Sequence, residues 1–248
     1  MTQKPFASLP AGGSAVIIGA TGAIGGALAA RAVISGRFEQ VFGSSRGGTS
    51  TPSGATPLIL DLEDETTIAD AAAQLAKAPA LRLLIVATGV LQGDGFTPEK
   101  GLKALDPSAM ARLFALNTIG PAVVLKHFAP LLARDGKAVL AVLSARVGSL
   151  EDNRLGGWHS YRASKAALNM ILRNAAIEVS RSRPETVCLA LHPGTVDSSL
   201  SAPFQKGVPA EKLFTPERSA DCLIATIDAR GPADTGGFFD WRNTAIAW

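Results

Sequence analysis

Ala15-Val16-Ile17-Ile18-Gly19-Ala20-Thr21-Gly22-Ala23-Ile24-Gly25-Gly26 runs from an unbroken apolar stretch into glycines. The residues that follow, Ala27-Leu28-Ala29-Ala30-Arg31-Ala32-Val33-Ile34, suit a helix. The reading is strand, tight turn, helix. Glycines let a backbone approach a pyrophosphate, and a helix N-terminus offers free N–H groups and the positive end of its dipole. The plain alternative is an ordinary strand–helix connection.

Working outward, apolar runs suited to strands alternate with helical stretches. Strands are expected at 16–18, 40–43, 57–60, 81–88, 138–144, 187–191 and 236–240. Helices are expected at 25–35, 64–76, 107–116 continuing to 132, 161–181 and 216–229. Near-continuous apolar strands alternating with helices imply a parallel sheet covered on both faces. Right-handed crossovers then give an α/β, doubly wound sheet of about seven strands. No internal repeat or linker divides the chain, so residues 1–248 read as one domain. A stretch rich in Thr, Ser, Gly and Pro at 49–57 reads as a surface loop. The irregular stretch 198–215 follows the sixth strand at the carboxyl edge of the sheet, where ligands bind. It is the expected substrate lid.

Composition narrows the classes. The 248 residues are 47% apolar and 18% charged, an ordinary globular α/β mixture. Twenty-four basic residues against 21 acidic ones leave a charge of +3 with no basic tract, which argues against nucleic acid as a partner. Cys188 and Cys222 lack metal-site spacing and read as reduced packing residues of a cytoplasmic protein. Three scattered histidines offer no metal site. The first ten residues have no signal-peptide pattern, and no apolar run approaches bilayer length, so no membrane is expected.

Tyr161-Arg162-Ala163-Ser164-Lys165 opens an Ala-rich helical stretch. Spacing of four puts the phenol and the ammonium on one face, about one turn apart. A nearby cation favours phenolate, and such a tyrosine exchanges protons with an alcohol or ketone. Taken alone, the pair is equally a solvated helix face.

In order along the chain stand the glycine turn, Asp61-Leu62, Asn117, Ser144, Tyr161 with Lys165, and Pro193-Gly194. Together they resemble the short-chain dehydrogenases/reductases, in their single-domain, Rossmann-type branch, over essentially the whole chain. Ser144-Ala145-Arg146-Val147-Gly148-Ser149, with Tyr161 to Asn169, looks like the subgroup of C-factor-like proteins and sniffer-type carbonyl reductases. The resemblance implies an NADP(H)-dependent oxidoreductase acting on a small or medium carbonyl or alcohol. Tyr161 is then the general acid or base. Lys165 lowers the Tyr161 pKa and holds the nicotinamide ribose. Asn117 supports a proton relay to Lys165, or alternatively only bends a helix. A serine near the end of the fifth strand polarises the substrate oxygen.

The cofactor contacts follow the same positions. Gly19, Thr21, Gly22, Ile24 and Gly25 form the turn. Asp61 and Leu62 border the adenine, and Ala87, Thr88 and Gly89 line the cofactor. Pro193, Gly194, Val196 and Ser198 lie by the nicotinamide. NAD sites place an acid at the end of the second strand. Here Val41-Phe42-Gly43-Ser44-Ser45-Arg46 holds none, and Arg46 with Ser45 suits a 2′-phosphate. NADP(H) is expected in preference to NAD(H). The family also implies a homo-oligomer, a dimer or tetramer through the long helices.

Three departures stand out. Ala23 takes a glycine's place in the turn. Ala87-Thr88-Gly89-Val90 replaces an Asn-Asn-Ala-Gly stretch. Ala145 occupies the usual position of the catalytic serine, with Ser144 one residue early and Ser149 four later. One residue in a strand reverses the side-chain direction. Ser144 is the expected donor and Ser149 the rival. The Ala145 departure keeps open an NADP-binding regulatory or signalling protein with little turnover. A sugar-nucleotide epimerase or dehydratase would need a substrate domain for which the stretch after Gly194 leaves little room.

Overall fold

The computed structural model describes residues 4–48, 52–93, 95–207 and 209–248. Residues 49–51 of the expected surface loop, and Val208 of the expected lid, lie outside them.

Ser14–Ile18 (β1) is buried at all five positions, as a central strand with both faces covered must be. It leads through the glycine turn into Ala23–Ser35 (α1). Gln40–Ser45 (β2), Thr56–Ile59 (β3) and Glu65–Leu75 (α2) follow, then Leu81–Val86 (β4). Pro107–Phe114 (α3) and Gly120–Phe128 (α4) are joined by one π-helical turn, Ala115–Ile119. Ala138–Leu143 (β5), His159–Ser180 (α5) and Thr186–His192 (β6) complete the second half. Thr195–Val196 (β7), Leu213–Phe214 (β8), Pro216–Asp228 (α6) and Gly237–Asp240 (β9) close the chain.

The main sheet has seven strands in the order β3-β2-β1-β4-β5-β6-β9, and every neighbouring pair is parallel. One core layer joins the sheet to α2, α4 and α5 through Ile68, Phe128 and Leu172. The other joins it to α1 and α6 through Leu28, Leu223 and Ile227. Strand order reverses between β1 and β4, so the loops leaving those two strands diverge and open a crevice at the carboxyl edge.

That crevice depends on close approach at two glycines. Gly19 has φ +84, a conformation that L side chains rarely adopt. A Cβ on Gly25 would stand 2.2 Å from the Gly19 carbonyl oxygen. Only a residue without a side chain lets α1 start this close to β1.

Three details depart from the sequence reading. β4 ends at Val86 and β5 at Leu143, each earlier than expected, because the chain turns into the site there. The ends of the lid region are joined by the two-residue ribbon β7–β8, which carries no readable periodicity. The helical stretch Pro107–Leu131 is 25 residues long with a mean hydropathy of 1.4. By length and composition it meets the measure of a membrane span, which corrects the expectation that no apolar run comes near one. Charges in it are sparse, so its average stays high although Asn117 and Lys126 break the run. Val124, Leu125 and Phe128 of this stretch are buried in the core.

Gly25→Ala tests the close approach. Overpacking a fitted core costs about 1–3 kcal/mol, which at this chain length lowers the melting temperature by about 2–12 °C. Calorimetry that finds no drop would show that α1 shifts freely.

Candidate active site

The crevice holds a cavity of about 340 Å³. Gly19, Thr21 and Gly22 line it after β1, Ser45 and Arg46 at the end of β2, and Asp61 and Leu62 after β3. Ala87, Thr88 and Gly89 line it after β4. Four separate loops thus bring ten of the expected contact residues to one groove. Gly25 lies beneath the turn rather than on its surface. Ile24 packs on the α1 side of the core.

The groove suits an anionic dinucleotide. α2, α3 and α6 are capped by the side chains of Asp64, Asp106 and Thr215. α1 has no side-chain cap and no acid in its first turn, so its leading N–H groups await another partner. Thr88 Oγ1 is buried without a hydrogen-bond partner, an arrangement that native folds rarely leave. Ser44 is committed elsewhere, since its Oγ accepts the Gly19 N–H at 3.0 Å. Arg46 is exposed at the rim.

Glu63, Arg112, Val90 and Leu116 also line the groove and were not foreseen. Arg112 pairs with Glu63 across 49 residues, and no local pattern announces such a contact.

The π turn explains how Asn117 is used. Pro121 has no N–H to give the Asn117 carbonyl, and π turns favour functional positions. The Asn117 side chain is wholly buried. Its Oδ1 accepts Val90 N–H at 2.7 Å, and its Nδ2 donates to Val90 O at 2.8 Å and to Ser164 Oγ at 3.1 Å. The amide therefore fastens α5 to the loop after β4.

Lys165 is buried one turn beyond Tyr161, and its Nζ donates to the Leu143 carbonyl at 3.0 Å. A Cβ on Gly89 would come within 3.2 Å of that nitrogen, so the glycine makes room for the ammonium. Nζ stands 6.0 Å from the centre of the Tyr161 ring. Burial pushes the Tyr161 phenol up to about 12 and the Lys165 ammonium down to about 8. The expectation that the lysine holds the phenol nearer ionisation is not met here, because burial alone moves the phenol and moves it upward. A phenol so held is protonated at neutral pH.

The serines are placed less simply. Ser144 Oγ donates to Asn169 Oδ1 at 2.6 Å inside the fold. Ser149 Oγ accepts the Asp152 N–H at 3.0 Å. The residue after β5 that packs on the Tyr161 cluster is Ala145. Ser144 thus points toward α5, as the alternation along the strand requires.

Around Tyr161 lie Leu91, Leu113, Ala145, Val147, Trp158 and Phe204, an apolar surround. Trp158 immediately precedes α5 with φ +51, following Gly156 and Gly157 at +63 and +65. A bulky residue held there costs about 1–3 kcal/mol and persists only where its surroundings enforce it. Glu99 supplies that enforcement. Its carbonyl accepts Trp158 N–H at 2.5 Å. Its buried carboxylate accepts from the Ser160 hydroxyl and N–H. Burial pushes the Glu99 carboxyl up, yet the hydrogen bonds from Ser160 and its own backbone, with the nearby His159, together hold the group below the usual range.

The remaining candidates follow β6. The Pro193 carbonyl accepts from Ser219 Oγ at 2.9 Å. Gly194 has φ +80, and a Cβ there would press on Trp241 and Phe214. Val196 sits in the β7–β8 ribbon, and Ser198 Oγ donates back to its carbonyl at 3.3 Å. Of the tail aromatics, Phe238 and Phe239 belong to the core and Trp248 packs on Phe238.

A phenol and an ammonium at the carboxyl edge of such a sheet, beside a glycine-lined groove, mark an oxidoreductase of the α/β class. Residues 14–208 match the short chain dehydrogenase family, and the chain belongs to it. The chain is 36% identical over 145 residues to the C-signal protein of Myxococcus xanthus, covering 58% of this chain and 81% of that one. It is 34% identical over 191 residues to 1-hydroxy-2-glutathionyl-2-methyl-3-butene dehydrogenase of Rhodococcus sp. strain AD45, covering 76% and 78%. The fold matches NADPH-bound carbonyl reductase from chicken fatty liver with a TM-score of 0.82 at 25% identity, covering 96% and 100%.

The Ser144–Asn169 bond generates a test. Ser144→Ala leaves a buried acceptor unmet, which costs about 1–3 kcal/mol of stability. Its turnover should fall less than tenfold. A loss of about 10²–10³-fold, that of a missing oxyanion donor, would show that the hydroxyl leaves Asn169 for the substrate.

Proposed function

We propose that this protein transfers hydride between NADP(H) and a small or medium carbonyl or alcohol, with Tyr161 as the proton donor and acceptor. The observation that carries this reading is that Lys165 and Asn117 meet Gly89 and Val90 of the groove lining, while Val90 also packs in the cluster of Tyr161. When bound, the nicotinamide supplies or receives the hydride. The chain's own residues manage the proton and the geometry. Tyr161, protonated at neutral pH, gives its proton to the oxygen of a carbonyl being reduced. Lys165, lying on the same face, stabilises the phenolate left behind and recovers a proton in turn. Asn117 fixes the position of α5 and with it both groups.

Similarity to a reductase whose structure holds NADPH, and to a named dehydrogenase, supports an enzyme over a regulatory protein. With Ser144 and Ser149 engaged elsewhere, Tyr161 holds the substrate oxygen without a serine donor. Gly19, Thr21, Gly22 and Gly25 would cradle the pyrophosphate, and Asp61 and Leu62 would border the adenine. Arg46 would meet the 2′-phosphate, with Ser45 beside it.

Two substitutions examine this reading. Tyr161→Phe keeps the packed ring but loses the transferable proton. NADPH should bind as before while turnover of a carbonyl panel falls by about 10²–10⁴-fold. Turnover close to that of the parent chain would remove Tyr161 from the mechanism. For Arg46→Ala, a lost charge-assisted bond to phosphate is worth about 1.5–3 kcal/mol. NADPH should then bind about 10- to 150-fold more weakly, with little change for NADH. Fluorescence titrations that weaken both cofactors equally would exclude the phosphate contact.

A further inference from the structure

The apolar surround of Tyr161 is built from segments far apart in the chain. Leu91 follows β4, Leu113 comes from α3, and Ala145 and Val147 follow β5. Leu200 and Phe204 arrive from the stretch after β7. Val90 lines the groove and also packs on this cluster, so the two regions are continuous. Trp158 is central to it. Its ring lies 6.3 Å from the Tyr161 ring and 5.1 Å from that of Phe204, tilted by 71° and 59°. Those arrangements are the ones aromatic rings prefer.

Nothing in the local sequence makes a tryptophan adopt a left-handed conformation. Two left-handed glycines precede it, and Glu99, 59 positions earlier, grips both the Trp158 N–H and the first turn of α5. Arg162 Nε adds a hydrogen bond to the Gly157 carbonyl at 3.0 Å. Glu99 therefore holds two neighbouring points, its main-chain carbonyl the Trp158 N–H and its carboxylate the first turn of the helix that carries Tyr161. The hydroxyls of Ser144, Ser149, Ser160 and Ser164 are all engaged with other partners. What a substrate meets beside the phenol is hydrocarbon and aromatic face.

The geometry points to Trp158 and Phe204 as the specificity wall of the site, selecting carbonyl compounds that carry a flat, apolar group next to the reacting carbon. Glu99 is the positioning residue that holds this wall. The inference rests on the oxidoreductase reading and adds the class of substrate to it. An aryl ketone fits such a wall. A small alkyl ketone leaves it uncovered, and a charged group there would lose its hydration without a partner.

Acetophenone and 2-butanone serve as matched probes, with kcat/KM measured for each under saturating NADPH. The parent chain should prefer acetophenone. Trp158→Ala and Phe204→Ala should each reduce the acetophenone-to-butanone ratio about tenfold or more, mainly through KM. Trp158→Phe, which keeps a ring, should retain most of the ratio. Glu99→Ala should lower the ratio in the same direction. Glu99→Gln, which keeps one carbonyl acceptor for Ser160, should restore part of it. A ratio that stays constant in both alanine variants overturns the wall, as does equal loss on both ketones.

NADPH titration of each variant reports whether its cofactor site is intact. If NADPH binds but neither ketone is reduced, the oxidoreductase reading fails on its own. Calorimetric titration of acetophenone into the NADP⁺-loaded chain then tests the wall. Saturable binding that is lost in Trp158→Ala sustains it, and no binding to the parent chain overturns it.

Discussion

An ammonium ion inside a protein is expensive unless the surroundings converge on it, and Lys165 sets that condition here. Three parts of the chain meet at its nitrogen. The end of β5 offers a carbonyl, the loop after β4 offers the space of a missing side chain, and α5 carries the lysine itself. Burial still wins, and the ammonium is pushed down to about 8. The folded chain holds this proton less tightly than the unfolded one. The group therefore costs stability fully below about pH 8, by about 3 kcal/mol, and the cost fades as pH rises toward the ordinary lysine range. Proteins retain such an expense mainly where a site needs it.

The same point orders the layers around it. Asn117 joins the loop after β4 to Ser164, and Thr118 donates to the Ser164 carbonyl at 2.8 Å. Ser144 joins β5 to Asn169 on the same helix. α5 is thus tied polar-to-polar on its site-facing side and packed through Leu168, Leu172 and Ala176 farther along. Rigid attachment of the helix is what gives Tyr161 a fixed position.

Much of this was legible along the chain, for identifiable reasons. Four of the main-sheet strands, β1, β4, β5 and β6, carry apolar runs that only a doubly covered sheet explains, and the glycine turn declares itself by spacing. Ten groove residues were readable because each sits at or within a few residues of a strand's carboxyl end, where topology decides the location. The rest escaped because it depends on distant pairings. Glu99 meets Ser160 across 61 residues, and Arg112 meets Glu63 across 49. The two-residue strands β7 and β8 have no period to read. Ser144 shows how sharp the limit is: its place at the end of β5 is plain from the sequence, but the direction of its hydroxyl turns on a single residue.

The short ribbon β7–β8 has a consequence for how this family could diversify. It pins the two ends of the intervening stretch beside the site while the seven-stranded sheet runs on independently. Lengthening a loop whose ends are already held costs only logarithmically in entropy. Insertions and exchanges between the two short strands can therefore accumulate without shifting register in the core. Evolvability of substrate choice is, in this chain, a property of four ribbon residues that hold the ends of the stretch between them.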